Sequence, residues 1–237
     1  MKELNYKDIS LSLIIPVFNE EQAIIPAIES NINALNQLLT TFEIIIVNDG
    51  SFDNSQMVIN SFIKDKINII SIEKDINEGI GSAIRTGIEH AKYDYVFPVP
   101  ADCPLNEDTL NLFLSKLGNS DVIVGYRPER VGYSLRMKLN SYLFHAIISF
   151  LFSVNLKDYN WIHLYKRKIF IQDGIKITSN GIVMLAEVLI KSLRKGLSVT
   201  EIEIAQRERL TGEATASKFF ILLKTFREII SLYREIG

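Results

Sequence analysis

The chain has 237 residues, 47% of them hydrophobic and 23% charged, which supplies a packed core and excludes a disordered chain. A net charge of −2 leaves no general basic surface for nucleic acid. With Cys103 as the one cysteine there is no disulfide framework and no cysteine-rich zinc site, and a reducing, cytoplasmic compartment fits best.

The opening MKELNYKDIS carries no apolar h-region, so no signal peptide is expected. Residues 11–17 (LSLIIPV) and 42–48 (FEIIIVN) are short β-branched runs closed by polar turn residues, the pattern of buried parallel strands. Between them, residues 20–39 place Ala23, Ile24, Ala27, Ile28, Ile32, Leu35 and Leu39 at helical spacing, with Asn19 and the acids Glu20 and Glu21 as a helix start. The alternation continues with helix 55–63, strand 67–73, helix 81–91, strand 95–100, helix 107–117 and strand 121–125. It predicts an α/β layer around a mostly parallel sheet.

Beyond residue 127 the pattern changes. Arg127, Arg130, Arg136 and Lys138 precede the apolar run 142–154, whose 13 residues fall short of the roughly 20 that cross a bilayer. Inside that run His145, Ser149 and Ser153 recur every fourth residue as a polar stripe. Helix 182–195, strand 198–204 and helix 218–236 finish the chain. The last helix gathers Phe219, Leu222, Leu223, Phe226, Ile229, Ile230 and Tyr233 on one face, with Lys224, Arg227 and Arg234 elsewhere. Two readings stand for these helices: a place on a membrane surface, or packing against the sheet or a second subunit. Without repeats or linkers, residues 1–237 read as one domain in two halves, 1–125 and 126–237.

Open α/β sheets bind ligands beyond the carboxyl ends of their strands. Segments 16–20, 48–51, 100–102 and 125–127 converge there, and two of them place an acid, Asp49 or Asp102, directly after a strand. Such an acid binds ribose hydroxyls, a base edge or a cation; alternatively Asp49 belongs to a turn and Asp102 caps the next helix. The run NEGIG at 77–81 is neither GxGxxG nor a P-loop, and its glycines let the backbone pass close to a ligand and the helix pack tightly. His90, His145 and His163 are too scattered for a histidine metal site. Trp161 reads as a packing residue, and Cys103 has no partner base that would make it a nucleophile.

PVFNEE, VNDGSFDNS, NEGIGSAIRTGIEHA, the strand-end acid, DVIVGYR and RERLTGE occur here in the order and spacing of family-2 glycosyltransferases. The sequence resembles the polyprenyl- and dolichyl-phosphate mannosyltransferase and glucosyltransferase branch over roughly residues 10 to 218. The resemblance implies a GT-A, Rossmann-like fold and an inverting hexosyl transfer from a UDP- or GDP-sugar. It makes residues 1–125 the nucleotide-sugar half and 126–237 the acceptor half. By position it assigns Pro16, Phe18 (where tyrosine is usual) and Glu20 to the base-holding segment, and Val47 and Asp49 to base and ribose. It assigns Asp102 to the metal and donor diphosphate, with Ala101 beside it among the donor-binding residues, Arg127 and Arg136 to the acceptor phosphate, and Arg209 to the segment closing over the donor.

One stretch departs from the pattern. Where the branch reads DADLQ this chain reads Pro100-Ala101-Asp102-Cys103-Pro104, so the first acid and the glutamine are both proline. A related subgroup reads PADGQ, and Mg²⁺ keeps several waters and takes as few as one carboxylate beside substrate phosphates. Asp102 is therefore the expected ligand for Mg²⁺ or Mn²⁺. A lipid-phosphate acceptor, already anionic, needs no strong base. A glycan or other hydroxyl acceptor needs a carboxylate, for which Asp158 and Glu187 are the candidates, with a loop acid and a helix-surface acid as their plainer readings. The expected place is peripheral, at the cytoplasmic face of a membrane, with a homo-oligomer possible. The rivals are a transferase to a soluble or glycan acceptor and a donor-binding protein without turnover.

Overall fold

The β-branched runs form strands, and their two-residue alternation sends apolar side chains to both faces of one sheet. The computed structural model describes residues 5–118, 120–129, 132–205 and 219–236. Its strands are β1 (Ser10–Val17), β2 (Thr41–Asn48), β3 (Ile69–Glu73), β4 (Tyr95–Pro98), β5 (Val122–Tyr126), β6 (His163–Lys166) and β7 (Val199–Glu203). They lie in the order β3-β2-β1-β4-β6-β5-β7. The pairs β1–β2, β1–β4, β2–β3 and β5–β7 are parallel, and β6 runs antiparallel to both of its neighbours. The sheet is thus mostly parallel, as expected, and strands of both halves of the chain share it.

The helices are α1 (Ile24–Leu38), α2 (Ser55–Ile63), α3 (Ile80–His90), α4 (Glu107–Leu114), α5 (Leu135–Phe152), the short α6 (Lys168–Ile171), α7 (Val183–Arg194) and α8 (Phe219–Ile236). Leu11, Leu13, Ile15 and Val17 of β1 point to one face with Ile24 and Ile28 of α1, Ile59 of α2 and Phe113 of α4. Ile14 of β1 and Ile45 and Val47 of β2 point to the other, with Ile84 of α3, Ile148 of α5, Val188 of α7 and Ile229 of α8. Covered on both faces, β1 and β2 carry apolar runs rather than an apolar–polar alternation.

Several expectations are corrected. Helix α1 begins at Ile24 rather than near residue 20, because the amides of Glu20 and Glu21 donate to Ser55 Oγ and Asp53 Oδ2 in the next loop at 2.9 and 3.2 Å. Asn19 is no helix cap: it takes a left-handed conformation, φ 57°, which asparagine tolerates better than most residues. Residues 161–168, which show no period in the sequence, contain β6, four residues wedged between β4 and β5. Being so short and carrying His163 and Lys166, β6 has no apolar period for the sequence to show. Strand β4 and helix α4 also end earlier than expected, at Pro98 and Leu114. Arg130, Arg209 and the RERLTGE segment lie outside the described residues.

The glycine of α3 that faces β1 sets how closely the helix approaches the sheet. A Cβ on Gly87 would stand 2.4 Å from Ile14 Cγ2. Gly87→Ala is expected to destabilise the fold by about 1–3 kcal/mol through overpacking, more than the gain of about 0.5–1 kcal/mol in helix propensity. Urea unfolding of both proteins measures the difference.

Candidate active site

The carboxyl ends of β1 to β5 and β7 share one edge of the sheet. Because β6 is antiparallel, residues 157–162 that lead into it reach the same edge. Strand order reverses between β1 and β4, which makes that point the crevice of the sheet.

On the β2–β3 side, Asp49 is 3% exposed. Its Oδ1 accepts from Lys74 Nζ at 3.0 Å and the Glu78 amide at 3.3 Å, and its Oδ2 accepts from the Gly79 amide at 2.7 Å. Burial alone would lower the Lys74 pKa, but hydrogen bonds to Glu78 and Asp49 outweigh it and hold the ammonium above its ordinary value. Asp49 therefore anchors the loop that enters α3, and one Oδ2 lone pair remains for a ligand. Lys74 escaped the sequence reading, although a charged residue directly after a strand is the same signal that drew attention to Asp49.

Glycines 79 and 81 have a different reason from a bound ligand. A Cβ on Gly79 would meet Asn180 O at 2.5 Å and one on Gly81 would meet Ser179 O at 2.5 Å, so it is the chain's own 179–181 segment that passes close. The Gly81 amide donates to Asn180 O at 2.7 Å across that contact.

The β1 and β2 loops are laced together. The Asn19 amide donates to Ser51 Oγ at 2.9 Å and Asn19 Oδ1 accepts from the Phe52 amide at 3.0 Å. Glu21 Oε2 accepts from the amide and the side chain of Asn54, both at 3.0 Å. This frame carries Phe18 and Phe52, whose rings meet edge to face with centroids 5.8 Å apart. Pro16 and Glu20 are half-buried beside them, whereas the Val47 side chain is wholly buried against α3 and presents only backbone to a ligand.

After β4, Ala101 is buried and Asp102 half-buried in a turn. The Asn106 side chain, not Asp102, caps α4 through the Thr109 amide at 3.2 Å. Asp102 is thus released from the capping role. Among the described residues no three histidine, cysteine, aspartate or glutamate side chains gather into a metal cage.

Across the crevice, Arg127 follows β5 and is 9% exposed. Its Nε donates to Asp158 Oδ2 at 2.8 Å, and Nη2 forms an ion pair with the same oxygen at 2.8 Å and donates to Asn160 O at 3.4 Å. Nη1 donates to Tyr133 OH at 3.1 Å, and the guanidinium lies 4.3 Å from the centre of the Trp161 ring. Asp158 is wholly buried, and its Oδ1 accepts from the Asn160 amide at 3.0 Å and stands 3.4 Å from His145 Nε2. Burial pushes His163, the first residue of β6, down to about 4. Arg136, by contrast, is exposed in the first turn of α5. The two arginines expected to act as a pair are therefore unlike: Arg127 is built into the wall and Arg136 faces outward.

Glu187, in α7, is also wholly buried. Its Oε1 accepts from Thr178 N, Thr178 Oγ1 and Lys191 Nζ at 2.8, 2.8 and 2.6 Å, and its Oε2 from Ser179 N at 2.8 Å. Burial alone would raise its pKa, but those donors, Lys191 foremost, outweigh it and hold the carboxyl below its usual value. A carboxylate so enclosed and so held anchors the 178–179 segment.

The model of glycosyl transferase family 2 matches residues 12–179. The chain belongs to that family. Among its family 2 relatives, a dolichyl-phosphate beta-glucosyltransferase of Trichomonas vaginalis is 25% identical, over 96% of this chain and 74% of the relative. An undecaprenyl-phosphate 4-deoxy-4-formamido-L-arabinose transferase of Proteus mirabilis is 28% identical, over 93% and 67%. The glucosyl-3-phosphoglycerate synthase of Mycobacterium tuberculosis, solved with Mn²⁺, uridine diphosphate and phosphoglyceric acid, superposes with a TM-score of 0.73. The alignment covers 95% of this chain and 79% of that one at 14% identity, a likeness of fold, and the fold is GT-A.

Two substitutions separate anchoring from chemistry in this family 2 site. Arg127→Ala leaves the Asp158 carboxylate buried without its guanidinium and is expected to cost about 3–5 kcal/mol in urea unfolding. Glu187→Gln is expected to cost about 1.5–3 kcal/mol at neutral pH while the folded fraction keeps its turnover; a general base would show the reverse. Because the Glu187 pKa is lowered by folding, its contribution is complete above the ordinary carboxyl value of 4.5 and disappears as pH falls through the lower folded value. The variant's stability should fall less steeply with acid over that range.

Proposed function

We propose that the protein transfers a hexose from a nucleoside-diphosphate sugar to a polyprenyl-type lipid phosphate at a membrane surface. The observation that carries this reading is the state of the two carboxylates a hydroxyl acceptor would need. Asp158 and Glu187 are both wholly buried, and their oxygens are taken by Arg127, Lys191 and backbone amides. An acceptor phosphate, with a second pKa of about 6, arrives as an anion and needs no base. The names of the Trichomonas and Proteus relatives support the same acceptor class.

In the proposed reaction an acceptor phosphate oxygen supplies the electron pair for a new bond to the anomeric carbon. The bond from that carbon to the donor's β-phosphate oxygen breaks, and its pair leaves on the nucleoside diphosphate. No proton moves, and attack opposite the leaving group inverts the anomeric centre. Asp49 and the Phe18 loop would hold the nucleoside, and Arg136 and the Arg127 wall would orient the acceptor. Arg209 would meet the leaving diphosphate.

A single half-buried carboxylate between Pro100 and Pro104 fits a divalent cation that takes its other ligands from water and the donor's phosphates. Asp102 is the residue that would hold Mg²⁺ or Mn²⁺, and when bound such an ion neutralises the leaving diphosphate. The likeness to a synthase solved with Mn²⁺ and UDP supports this and favours a uridine donor.

Helix α5 supports the membrane contact. Two residues of its polar stripe face the protein: Ser149 Oγ lies 3.0 Å from Tyr159 OH, and His145 Nε2 accepts from the Tyr159 amide at 3.4 Å. The third, Ser153, is exposed in a left-handed turn just past the helix end. Its apolar side faces out, with Leu135, Leu139, Tyr142, Leu143 and Phe150 exposed and Arg136 and Lys138 beside them. In α8, Ile229 and Leu232 are buried while Leu223, Phe226 and Tyr233 are exposed. Among the described residues no helix is long and apolar enough to span a bilayer. The arrangement fits a peripheral contact at the cytoplasmic face.

Incubation with labelled UDP- and GDP-sugars, Mg²⁺ and vesicles containing polyprenyl phosphate tests the proposal. Label should pass to the lipid phase. Label in a glycan would change the acceptor, and nucleotide binding without transfer would make this a binding protein. Asp102→Asn should abolish the tightening of nucleotide binding by Mg²⁺ and cut turnover roughly 10²- to 10³-fold. A silent variant would reduce Asp102 to a turn residue.

A further inference from the structure

The least buried large aromatic at the ligand edge of the sheet is Phe52, 84% exposed, beside Phe18 at 40%. The Phe52 ring gains little from burial, yet the loops that carry both rings are tied together. Phe52 is tied by its amide to Asn19 Oδ1, and Asn19 in turn holds Ser51 through its left-handed turn. Ser55 and Asp53, on the far side of Phe52, receive the amides of Glu20 and Glu21. Two loops spend this many hydrogen bonds on a frame whose most prominent side chains are two rings open to solvent.

The rings meet at 81°, so together they form a corner. A flat, π-faced group fits a corner of that shape, one face against one ring and its edge toward the other. The corner sits beside Asp49, because Val17 and Asn48 are register partners and the Asp49 amide donates to Val17 O at 2.8 Å. We propose that Phe52 is a base-stacking residue of the donor site, closing with Phe18 around the nucleobase of the nucleotide sugar. The inference rests on the donor reading above and adds the residue that grips the base from outside. Stacking on an aromatic ring accepts any base face. Phe52 therefore contributes affinity, and the choice between bases falls to the remaining lone pair of Asp49 Oδ2 and the neighbouring backbone.

Calorimetric titration of the full chain with UDP and GDP, and with inorganic pyrophosphate plus Mg²⁺ as a probe lacking a base, tests this. Phe52 is exposed, so Phe52→Ala should melt like wild type. It should raise the Kd of whichever nucleotide wild type binds by roughly 5- to 150-fold and leave pyrophosphate binding unchanged. Phe52→Trp should restore the affinity, its indole emission changing as nucleotide binds, whereas Phe52→Leu, equally apolar but without a π face, should not. Unchanged nucleotide affinity in Phe52→Ala, or an equal loss for pyrophosphate, would overturn the assignment. So would a loss confined to binding of anionic phospholipid vesicles, which would make the ring a membrane contact. A wild type that binds neither nucleotide would bring down the donor reading itself, a result distinct from failure of Phe52 alone.

Discussion

The buried pair of Arg127 and Asp158 fixes what the acceptor side of this site can do. Arg127 comes from the end of β5 and Asp158 from the segment that leads into β6, two strands that run in opposite directions. Only an antiparallel β6 brings the beginning of one strand and the end of the other to the same edge. Once there, the guanidinium takes up the carboxylate through an Nε hydrogen bond and a close ion pair and lies on Trp161. A charge pair so deeply placed costs desolvation, which its geometry and added hydrogen bonds must offset. The consequence is chemical: the Asp158 carboxylate is committed to structure.

Glu187 shows the same logic on the donor side. It is held by Lys191 and by the 178–179 segment, and the next residues of that segment press against Gly79 and Gly81 at the entrance to α3. Asp49 holds the same entrance from the β2 side through Glu78 and Gly79. Acids that a sequence scan collects as catalytic candidates thus divide into anchors and one carboxylate, Asp102, placed in a turn at the crevice. Preorganised surroundings of this kind suit a reaction whose work is positioning and neutralising charge.

Much of the fold was legible beforehand because the buried parallel strands print themselves as β-branched runs and α3 and α7 as apolar periods. Strand β6 was not, since four residues containing a histidine and a lysine carry no period. The start of α1 was misplaced because tertiary hydrogen bonds to Ser55 and Asp53 override the local preference of the Asn19–Glu21 stretch for opening a helix. In the site, the strand-end rule located Asp49, Asp102 and Arg127. It did not reveal that Asp49 and Arg127 are already engaged within the protein, because Lys74 and Asp158 are 25 and 31 residues away along the chain. Spacing in sequence shows where a side chain stands; burial and pairing decide whether it is available.

Helix α5 has its polarity turned inside out, and this bears on where the protein's stability comes from. Phe144, Ile148 and Phe152 and a few hydrogen bonds hold it to the body, while a longer apolar strip faces outward. In water the strip contributes nothing to folding, and its exposure invites self-association. A bilayer that binds the folded chain and not the unfolded one would add RT ln(1 + [L]/Kd) to the free energy of unfolding. On such a bilayer the resistance of the protein to heat and proteolysis would be a property of the interface, rising with the density of lipid as much as with anything encoded in its core.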